Sequence, residues 1–210
     1  QHTLSALVLK HHHLHVIIEF DRQHPIGAQD PAGIKDCVVE AALTTILDFE
    51  DSIAAVDAED KLAAYRNLLG IFKGTLSEQV QKGHHIIERR LNHDRQYLTM
   101  QDQPLTLPGR SLLFIRNVGH LMTTPAILVR NDQGELEEAY EGLVDAMITT
   151  AIAAHDLTGK TALKNSRTGS IYIVKPKMHG PEEVQFCVEV FDGVEQILKL
   201  RPNTVKIGIM

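Results

Sequence analysis

The sequence has 210 residues, of which 43% are hydrophobic and 23% are charged, with a formal net charge of −6 at pH 7. This composition is typical of a folded globular protein, which excludes intrinsic disorder, and its acidic balance argues against nucleic-acid binding as the main role. No apolar run approaches the roughly 18 residues of a transmembrane helix, and two cysteines are too few for a disulfide scaffold. We therefore expect no nucleic acid and no membrane among the partners, and a cytoplasmic location.

The first third of the chain predicts alternating strands and helices. Residues 14–20 (LHVIIEF) are rich in β-branched side chains and predict a strand. Asp30 as a helix cap, with Pro31 at the first helical position, predicts a helix over residues 30–43. That helix would place Cys37 on its core face, as an inert packing residue.

A second strand and helix come next along the chain. The short apolar run 44–49 predicts a buried strand. Asp57, with Asp60 three residues later, resembles a capping box that opens a helix extending to about residue 72. The helical period predicts the buried side of this helix to be formed by Leu62, Tyr65, Leu68 and Leu69.

The remainder divides into a polar interruption and a regular alternation. Residues 73–110 are polar and show only short helical patterns. From residue 44 onward, short continuous apolar strands alternate with helices, which predicts an α/β fold with a parallel sheet covered on both faces. The later strands are predicted over 111–118, 171–177 and 205–210, the helices end near 155 and 200, and 159–170 is a loop.

Candidate functional groups lie directly after the predicted parallel strands, because such groups gather at the carboxyl ends of strands in parallel α/β folds. Residues 48–52 (DFEDS) hold three carboxylates that suit a divalent cation or acid–base chemistry, or else cap the next turn. Arg116 can grip a carboxylate in a bidentate fork, or pair structurally with those acids. Lys177 and His179 can reach the same place, or cap the next helix.

Several other patterns are weaker. The histidine-rich residues 10–15 (KHHHLH) could bind a metal but have no acidic or cysteine ligand nearby. Residues 159–161 resemble the end of a phosphate-binding loop, but its required first glycine is absent. Residues 165–170 (NSRTGS) resemble an anion-binding nest, and their place before a strand favours a role in stability. Cys187 is predicted to be an inert packing residue.

Three segments carry a resemblance to a known family: residues 44–67, 109–122 (GRSLLFIRNVGHLM) and 165–181 (NSRTGSIYIVKPKMHGP). They closely resemble the malate synthases of isoform G, and the resemblance covers nearly the whole chain. It implies a large enzyme built on a (β/α)8 TIM barrel with added domains. It also implies an acyltransferase of the glyoxylate cycle, which condenses acetyl-CoA with glyoxylate and water to give malate and CoA, using Mg²⁺.

The resemblance also implies a domain organisation. Residues 1–43 and 74–111 would form two parts of an inserted α/β domain. Residues 44–73 and 112–210 would belong to the TIM barrel and contribute about four of its eight parallel strands with their helices. Because the chain begins at Gln1 and ends in an apolar strand, we expect it to be an internal part of a longer chain.

Site residues are implied position by position. Arg116 matches the family's catalytic arginine, which binds glyoxylate and absorbs the charge that develops on its aldehyde oxygen. Ser52 and Arg89 match positions that contact acetyl-CoA, and a nucleotide phosphate is the natural partner of Arg89. Glu50 and Asp51 would lie beside the metal ion without binding it directly, either supporting its ligands or bonding to its water molecules.

The resemblance places other essential groups elsewhere. The direct Mg²⁺ ligands and the aspartate that deprotonates acetyl-CoA would lie outside this chain, so we expect the 210 residues alone to be inactive. The parent would be a monomer, whereas the isolated chain would self-associate through an open strand edge. His13 stands where the family favours glycine, and it would bear any left-handed backbone at a cost.

Two alternative functions remain open at this point. The chain could be a non-catalytic folded fragment that retains some affinity for acetyl-CoA. The protein could also be another Mg²⁺-dependent barrel lyase that acts on a 2-oxo acid.

Overall fold

A computed structural model describes residues 4–41, 43–159, 161 and 163–210. The chain forms two compact units, one of Gln1–Thr44 with Asn92–Leu112 and one of Thr45–Leu91 with Leu113–Met210. Within the described part, no helix is both long and apolar enough to cross a membrane. Lys160, part of the rejected phosphate-loop pattern, lies outside the described residues.

The described residues form thirteen strands, three α-helices and one 3-10 helix. The strands are β1 (Ala6–His11), β2 (Leu14–Phe20), β3 (Ile34–Val39), β4 (Thr45–Asp48), β5 (Ser77–Lys82), β6 (His85–Arg90), β7 (Arg95–Leu98), β8 (Pro104–Leu107), β9 (Leu113–Arg116), β10 (Thr123–Arg130), β11 (Leu136–Tyr140), β12 (Ile171–Lys175) and β13 (Val205–Ile209). The helices are α1 (Ala58–Lys73), α2 (Glu141–Ala153), the 3-10 helix (Ala154–Thr158) and α3 (Pro181–Ile197).

The shorter unit contains an antiparallel sheet in the order β1-β2-β3 and the hairpin β7–β8. The predicted strand β2 is confirmed. The turn between β1 and β2 consists of His12 and His13, at φ +46° and +66°, so His13 does adopt the left-handed backbone that favours glycine. A histidine in this conformation costs roughly 1–2 kcal/mol.

The helix predicted over residues 30–43 is wrong. Asp30 does act as a local cap, but its Oδ1 accepts hydrogen bonds from the amides of Ala32 and Ile34 and closes a turn, not a helix. Gly33, at φ +81°, then redirects the chain into β3, whose β-branched residues pair with β2. Cys37 is therefore an exposed strand residue and not a core residue.

The longer unit is organised around a four-stranded parallel sheet in the order β13-β12-β9-β4. These are the four apolar strands that the sequence predicts, and each pairs with the next one along the chain. Such continuous pairing, with helices in the connections, is the arrangement of part of a (β/α)8 barrel. The predicted α/β class with a parallel sheet is confirmed.

Helix α1 is capped by Asp57, whose side chain accepts from the amides of Glu59 and Asp60, as the capping pattern predicts. The buried side of α1 holds Tyr65 and Leu68 as predicted, but Leu62 is 45% exposed. The buried stripe instead includes a charged residue, Lys61, which belongs to a polar network beneath the site.

Two polar stretches form hairpins that the sequence pattern does not predict. The interruption 73–110 contains β5–β6 and β7–β8 in place of short helices, and the stretch 131–138 lies largely in the hairpin β10–β11. Most residues of β5, β6 and β10 are exposed, so these strands lack the apolar–polar alternation that identifies a half-buried strand.

The core of the longer unit lies between the parallel sheet and its helices. Aromatic side chains of α1 and α3 and aliphatic side chains of β9 and β12 belong to one buried cluster there. The buried core residues are Phe49, Tyr65, Leu68, Phe72, Ile115, Ala146, Ala153, Ile171, Ile173, Cys187, Phe191, Val194 and Val205.

Candidate functional site at the carboxyl edge of the sheet

Arg116 and Asp48 form a bidentate ion pair at the carboxyl edge of the sheet. They are the last residues of β9 and β4 and lie directly opposite each other in the register. The Nε atom of Arg116 donates to Oδ1 of Asp48 at 2.7 Å, and Nη2 donates to Oδ2 at 2.5 Å. This fork holds the guanidinium plane in one orientation. Its remaining nitrogen, Nη1, meets only the weak acceptor Sδ of Met210, at 3.9 Å, among the described residues.

Asp48 also organises the segment directly after it. Its carboxylate accepts from the amides of Glu50 and Ser52 at 2.9 and 3.0 Å, and from the Ser52 hydroxyl at 2.6 Å. Burial raises the pKa of Asp48, but the hydrogen bonds from Arg116 and Ser52 lower it more, so the net pKa lies well below its usual value. Asp48 is therefore a permanent anion that holds Arg116 and Ser52 together.

Lys177, two residues after the end of the neighbouring strand β12, extends the cluster. Its Nζ atom lies 3.1 Å from Oε1 of Glu50 and 3.0 Å from Oδ1 of Asp51. The hydrogen bonds from Lys177 to Asp51 and Glu50 raise the pKa of its ammonium group. Lys177 holds a left-handed backbone at φ +58°, a conformation that often occurs at functional sites.

Glu50 retains one free oxygen in this cluster. Its side chain is 10% exposed, and Oε2 has no hydrogen-bond partner among the described residues although Nε of Arg116 lies 4.0 Å away. A buried carboxylate oxygen without a donor is costly, so this atom is available to a bound cation, a water molecule or a ligand donor.

The structure brings together most of the residues that the sequence singled out. The ion pair of Arg116 is surrounded by Ser52, Glu50 and Asp51, as expected for groups that follow the carboxyl ends of neighbouring parallel strands. Arg89 is separate: it lies on β6, is exposed, and has no side-chain partner in the described part of the chain.

His179 and the weaker patterns have structural partners. His179 bonds to Glu183 in the first turn of α3, through its amide at 2.9 Å and its ring at 3.2 Å, which is the helix-capping alternative. The nest at residues 165–170 is filled by a side chain of this chain, because the amides of Asn165 and Ser166 each donate to Asp156 at 2.7 Å. That contact supports the predicted role in stability.

The histidine-rich turn and the cysteines show no site. His15 pairs with Glu40 at 2.6 Å, and no group of three metal-ligating side chains occurs among the described residues. Cys187 is fully buried in the core, as predicted, and burial raises the pKa of its thiol.

A buried polar network lies under the site, and the sequence analysis does not predict it. Lys61, 1% exposed, lies 2.6 Å from Glu141 and 2.9 Å from Asp145, and the Tyr65 hydroxyl donates to Asp145 at 2.6 Å. Lys175, 2% exposed, ends β12 among inward-facing residues. The sequence signal that could have revealed this network is a charged residue at a core position, as Lys61 is in the buried stripe of α1 and Lys175 is in strand β12.

Known proteins resemble this chain over most of its length. Residues 112–210 match the family model of the malate synthase TIM barrel domain. Malate synthase G of Halalkalibacterium halodurans is 53% identical over 206 residues, which are 98% of this chain and 28% of that protein. The malate synthases G of Corynebacterium efficiens and Corynebacterium glutamicum are 52% and 50% identical, over 98% of this chain and 27% of each protein.

The chain thus spans between 27% and 28% of the length of the curated relatives it matches. Identity at this level cannot arise by chance over 206 residues, and the barrel match covers three of the four parallel strands. The chain belongs to the malate synthase G family.

Proposed function

We propose that the protein carrying this chain is a malate synthase, a transferase that condenses acetyl-CoA with glyoxylate and water to give malate and CoA. The observation that carries the proposal is the forked Arg116 at the carboxyl edge of the sheet, with one strong donor, Nη1, free of any strong acceptor among the described residues. The sequence identity to malate synthases G supports it.

The chemistry assigns a task to each group of the ion pair. The enolate of acetyl-CoA attacks the aldehyde carbon of glyoxylate, a carbon–carbon bond forms, and the electron pair of the carbonyl moves to its oxygen. The Nη1–H group of Arg116 donates to this oxygen and stabilises its developing charge. Asp48 keeps the guanidinium oriented, so little reorganisation is needed during the reaction.

Ser52 and Arg89 are proposed to bind acetyl-CoA. The Ser52 hydroxyl donates to Asp48 and therefore offers acetyl-CoA an acceptor. The guanidinium of Arg89, which is exposed and has no side-chain partner among the described residues, suits a nucleotide phosphate. Calorimetric titration of acetyl-CoA into the complete protein tests the assignment of Arg89: Arg89→Ala should weaken binding, whereas an unchanged affinity would remove Arg89 from the site.

The proposal includes Mg²⁺, and the described residues fit a place beside it but not its direct ligand set. Asp48 and Asp51 are engaged by cations, and no group of three suitable ligands occurs among the described residues. The free Oε2 of Glu50 fits a water molecule on a bound cation. Mg²⁺ held by residues elsewhere in the protein would supply Lewis-acid polarisation of the aldehyde.

We also propose the domain assignment of the family: barrel residues at 44–73 and 112–210, with an inserted domain at 1–43 and 74–111. The antiparallel unit of Gln1–Thr44 and Asn92–Leu112 supports much of it, whereas residues 74–91 group with the longer unit. The monomeric state of the parent and its cytoplasmic location stay predictions.

The test is an assay of CoA thiol release by the complete protein, with acetyl-CoA, glyoxylate and Mg²⁺. We expect release that requires both substrates, and we expect none from the 210 residues alone. A folded protein that shows no glyoxylate-dependent release would overturn the proposal. Preference for a larger 2-oxo acid would instead favour another barrel lyase.

A further inference from the structure

The backbone directly after Arg116 passes between two buried charged side chains. The amide of Val118 donates to Oδ2 of Asp145 at 3.0 Å. Nζ of Lys175 donates to the carbonyl of Val118 at 2.6 Å and to that of Gly119 at 3.3 Å. Asp145 is 0% and Lys175 is 2% exposed. Both polar backbone groups of Val118 are thus held by side chains of two other elements, α2 and β12.

Asp145 is itself held firmly. The Tyr65 hydroxyl donates to its Oδ1, and Lys61 lies 2.9 Å from the same oxygen while pairing with Glu141. Burial and then the charge of Asp145 raise the pKa of Tyr65, so the phenol remains a donor. The carboxylate therefore has a fixed direction, with its second oxygen aimed at the Val118 amide.

Lys175 is unusual because no carboxylate lies within ion-pair distance of it in the described part of the chain. Its hydrogen-bond acceptors among the described residues are the two carbonyls, and burial lowers the pKa of its ammonium group more than the charges of Asp145 and Glu50 raise it. A buried cation that no carboxylate contacts directly costs stability that an apolar side chain of equal size would not cost. The need to hold the carbonyls of Val118 and Gly119 in place would account for a lysine at this position.

The first turn of α2 also fits closely against the same segment. Gly142 lies in the first turn of α2, and a Cβ atom there would lie 2.4 Å from the Gly119 carbonyl oxygen and 2.9 Å from Nζ of Lys175. Only a glycine allows this approach, so α2 also limits where Gly119 can move.

We propose that Lys175 and Asp145 are positioning residues, which fix the backbone of Val118 and Gly119 and thereby hold Arg116 where it reaches glyoxylate. The proposal rests on the proposed function. Arg116 is the last residue of β9, and the amide of Asn117, which donates to the Val174 carbonyl at 3.1 Å, is the last ladder contact before Val118. Beyond it, the hydrogen bonds to the Val118 and Gly119 backbone in the described part of the chain come from the buried side chains of Asp145 and Lys175. Catalytic geometry must be kept within about 0.5 Å.

The test compares Lys175→Met with Glu195→Gln in the complete protein. Glu195 is a matched control because it is 5% exposed and holds another loop of the sheet, through the amides of Asn203 and Val205. In Lys175→Met we expect amide hydrogen exchange at residues 117–120 to accelerate. We also expect kcat/KM for glyoxylate to fall about 10- to 100-fold, with KM for acetyl-CoA unchanged. Glu195→Gln should accelerate exchange only near residues 203–205 and leave the kinetics unchanged.

Gly142→Ala provides a second variant that removes no charge, in case Lys175→Met does not fold. Its added methyl group should displace Gly119 and produce the same loss that is selective for glyoxylate. Unchanged exchange at residues 117–120, or equal kinetics in the Lys175 and Glu195 variants, would overturn the proposal. If the unmodified protein lacks malate synthase activity, the proposed function fails, and the exchange measurement still decides whether Lys175 holds the segment.

Discussion

The two edges of the parallel sheet use buried acidic side chains in different ways. At the amino edge, Asp156 accepts from the amides of Asn165 and Ser166. Glu195 likewise accepts from the amides of Asn203 and Val205. Each of these carboxylates therefore fixes the loop that leads into a strand, and both of its oxygens are occupied by backbone groups that have no other task.

At the carboxyl edge, carboxylates meet side-chain cations. Asp48 binds Arg116, and Glu50 and Asp51 share Lys177. A guanidinium or ammonium group on a side chain can retain one contact and form another with a substrate, whereas a loop amide cannot. The kind of partner, and not the presence of an acid, therefore distinguishes an edge built for chemistry from one built for stability.

The largest expected effect is that of Arg116→Gln. Removing a preorganised donor to a developing oxyanion should lower kcat by about 10²- to 10³-fold, measured as CoA thiol release by the complete protein. Arg201→Gln, at an exposed arginine of the amino edge, is the control and should leave kcat unchanged. Equal effects of the two substitutions would contradict the assignment of chemistry to the carboxyl edge.

Asp156→Ala, at the amino edge, should reduce stability and leave the kinetics unchanged. The loss of two charged hydrogen bonds leaves the amides of Asn165 and Ser166 without their acceptor, which should reduce the free energy of unfolding by about 2–3 kcal/mol. Urea unfolding measures this loss. The folded fraction should keep its kcat and both KM values, and a selective kinetic defect would show that the amino edge also serves the reaction.

The ion pair at the carboxyl edge should also make stability depend on pH. The folded pKa of Asp48 lies below the unfolded value of about 3.9, so its contribution is present above that pH and is lost as the pH falls toward the folded pKa. Asp48→Asn should therefore lower the free energy of unfolding by about 2 kcal/mol at pH 7, and the difference should shrink below pH 4. A difference that stays constant from pH 7 to pH 2.5 in urea unfolding would contradict this.

The sequence predicts the parallel sheet because its strands appear as continuous apolar runs. The predicted burial of the strand at 44–49 is wrong, because β4 is an outer strand of the described sheet and its Ile46 is 50% exposed. The same principle explains the failures. The strands of β5–β6 are exposed, so no burial pattern marks them, and the cap at Asp30 has the same local chemistry whether it opens a helix or closes a turn. Local signals identify a chain reversal, but the pairing of β3 with β2 determines that the next element is a strand.

The site is predictable only as far as strand ends are predictable. The cluster around Arg116 is expected from the rule that the carboxyl ends of parallel strands meet at one edge. The buried positions of Lys175 and Asp145 are not expected from the sequence, because a charged residue in an apolar stretch is ordinarily expected to reach solvent. Their role depends on backbone groups of a distant segment, and no pattern in the sequence encodes that contact.

The smallest effects come from two lysines with the same backbone conformation at opposite edges. Lys177 has φ +58° and Lys199 has φ +55°, and both are exposed. Glycine at either position should relieve the left-handed strain, but it also increases the entropy of the unfolded chain, which opposes this gain. The net effect should add about 0.5 kcal/mol to the free energy of unfolding. In Lys177→Gly the lost ion pairs, which are weak because Lys177 is 56% exposed, should offset this gain.

The kinetic outcomes of these two variants should differ more than their stabilities. Lys199→Gly should leave the kinetics unchanged, whereas Lys177→Gly should raise KM for glyoxylate, because Glu50 and Asp51 lose the cation that neutralises them beside an anionic substrate. The rise should diminish at high ionic strength, where the repulsion is screened. Equal KM values for both variants would mean that Lys177 serves only its loop, and that the functional part of the carboxyl edge is confined to the pair of Arg116 and Asp48.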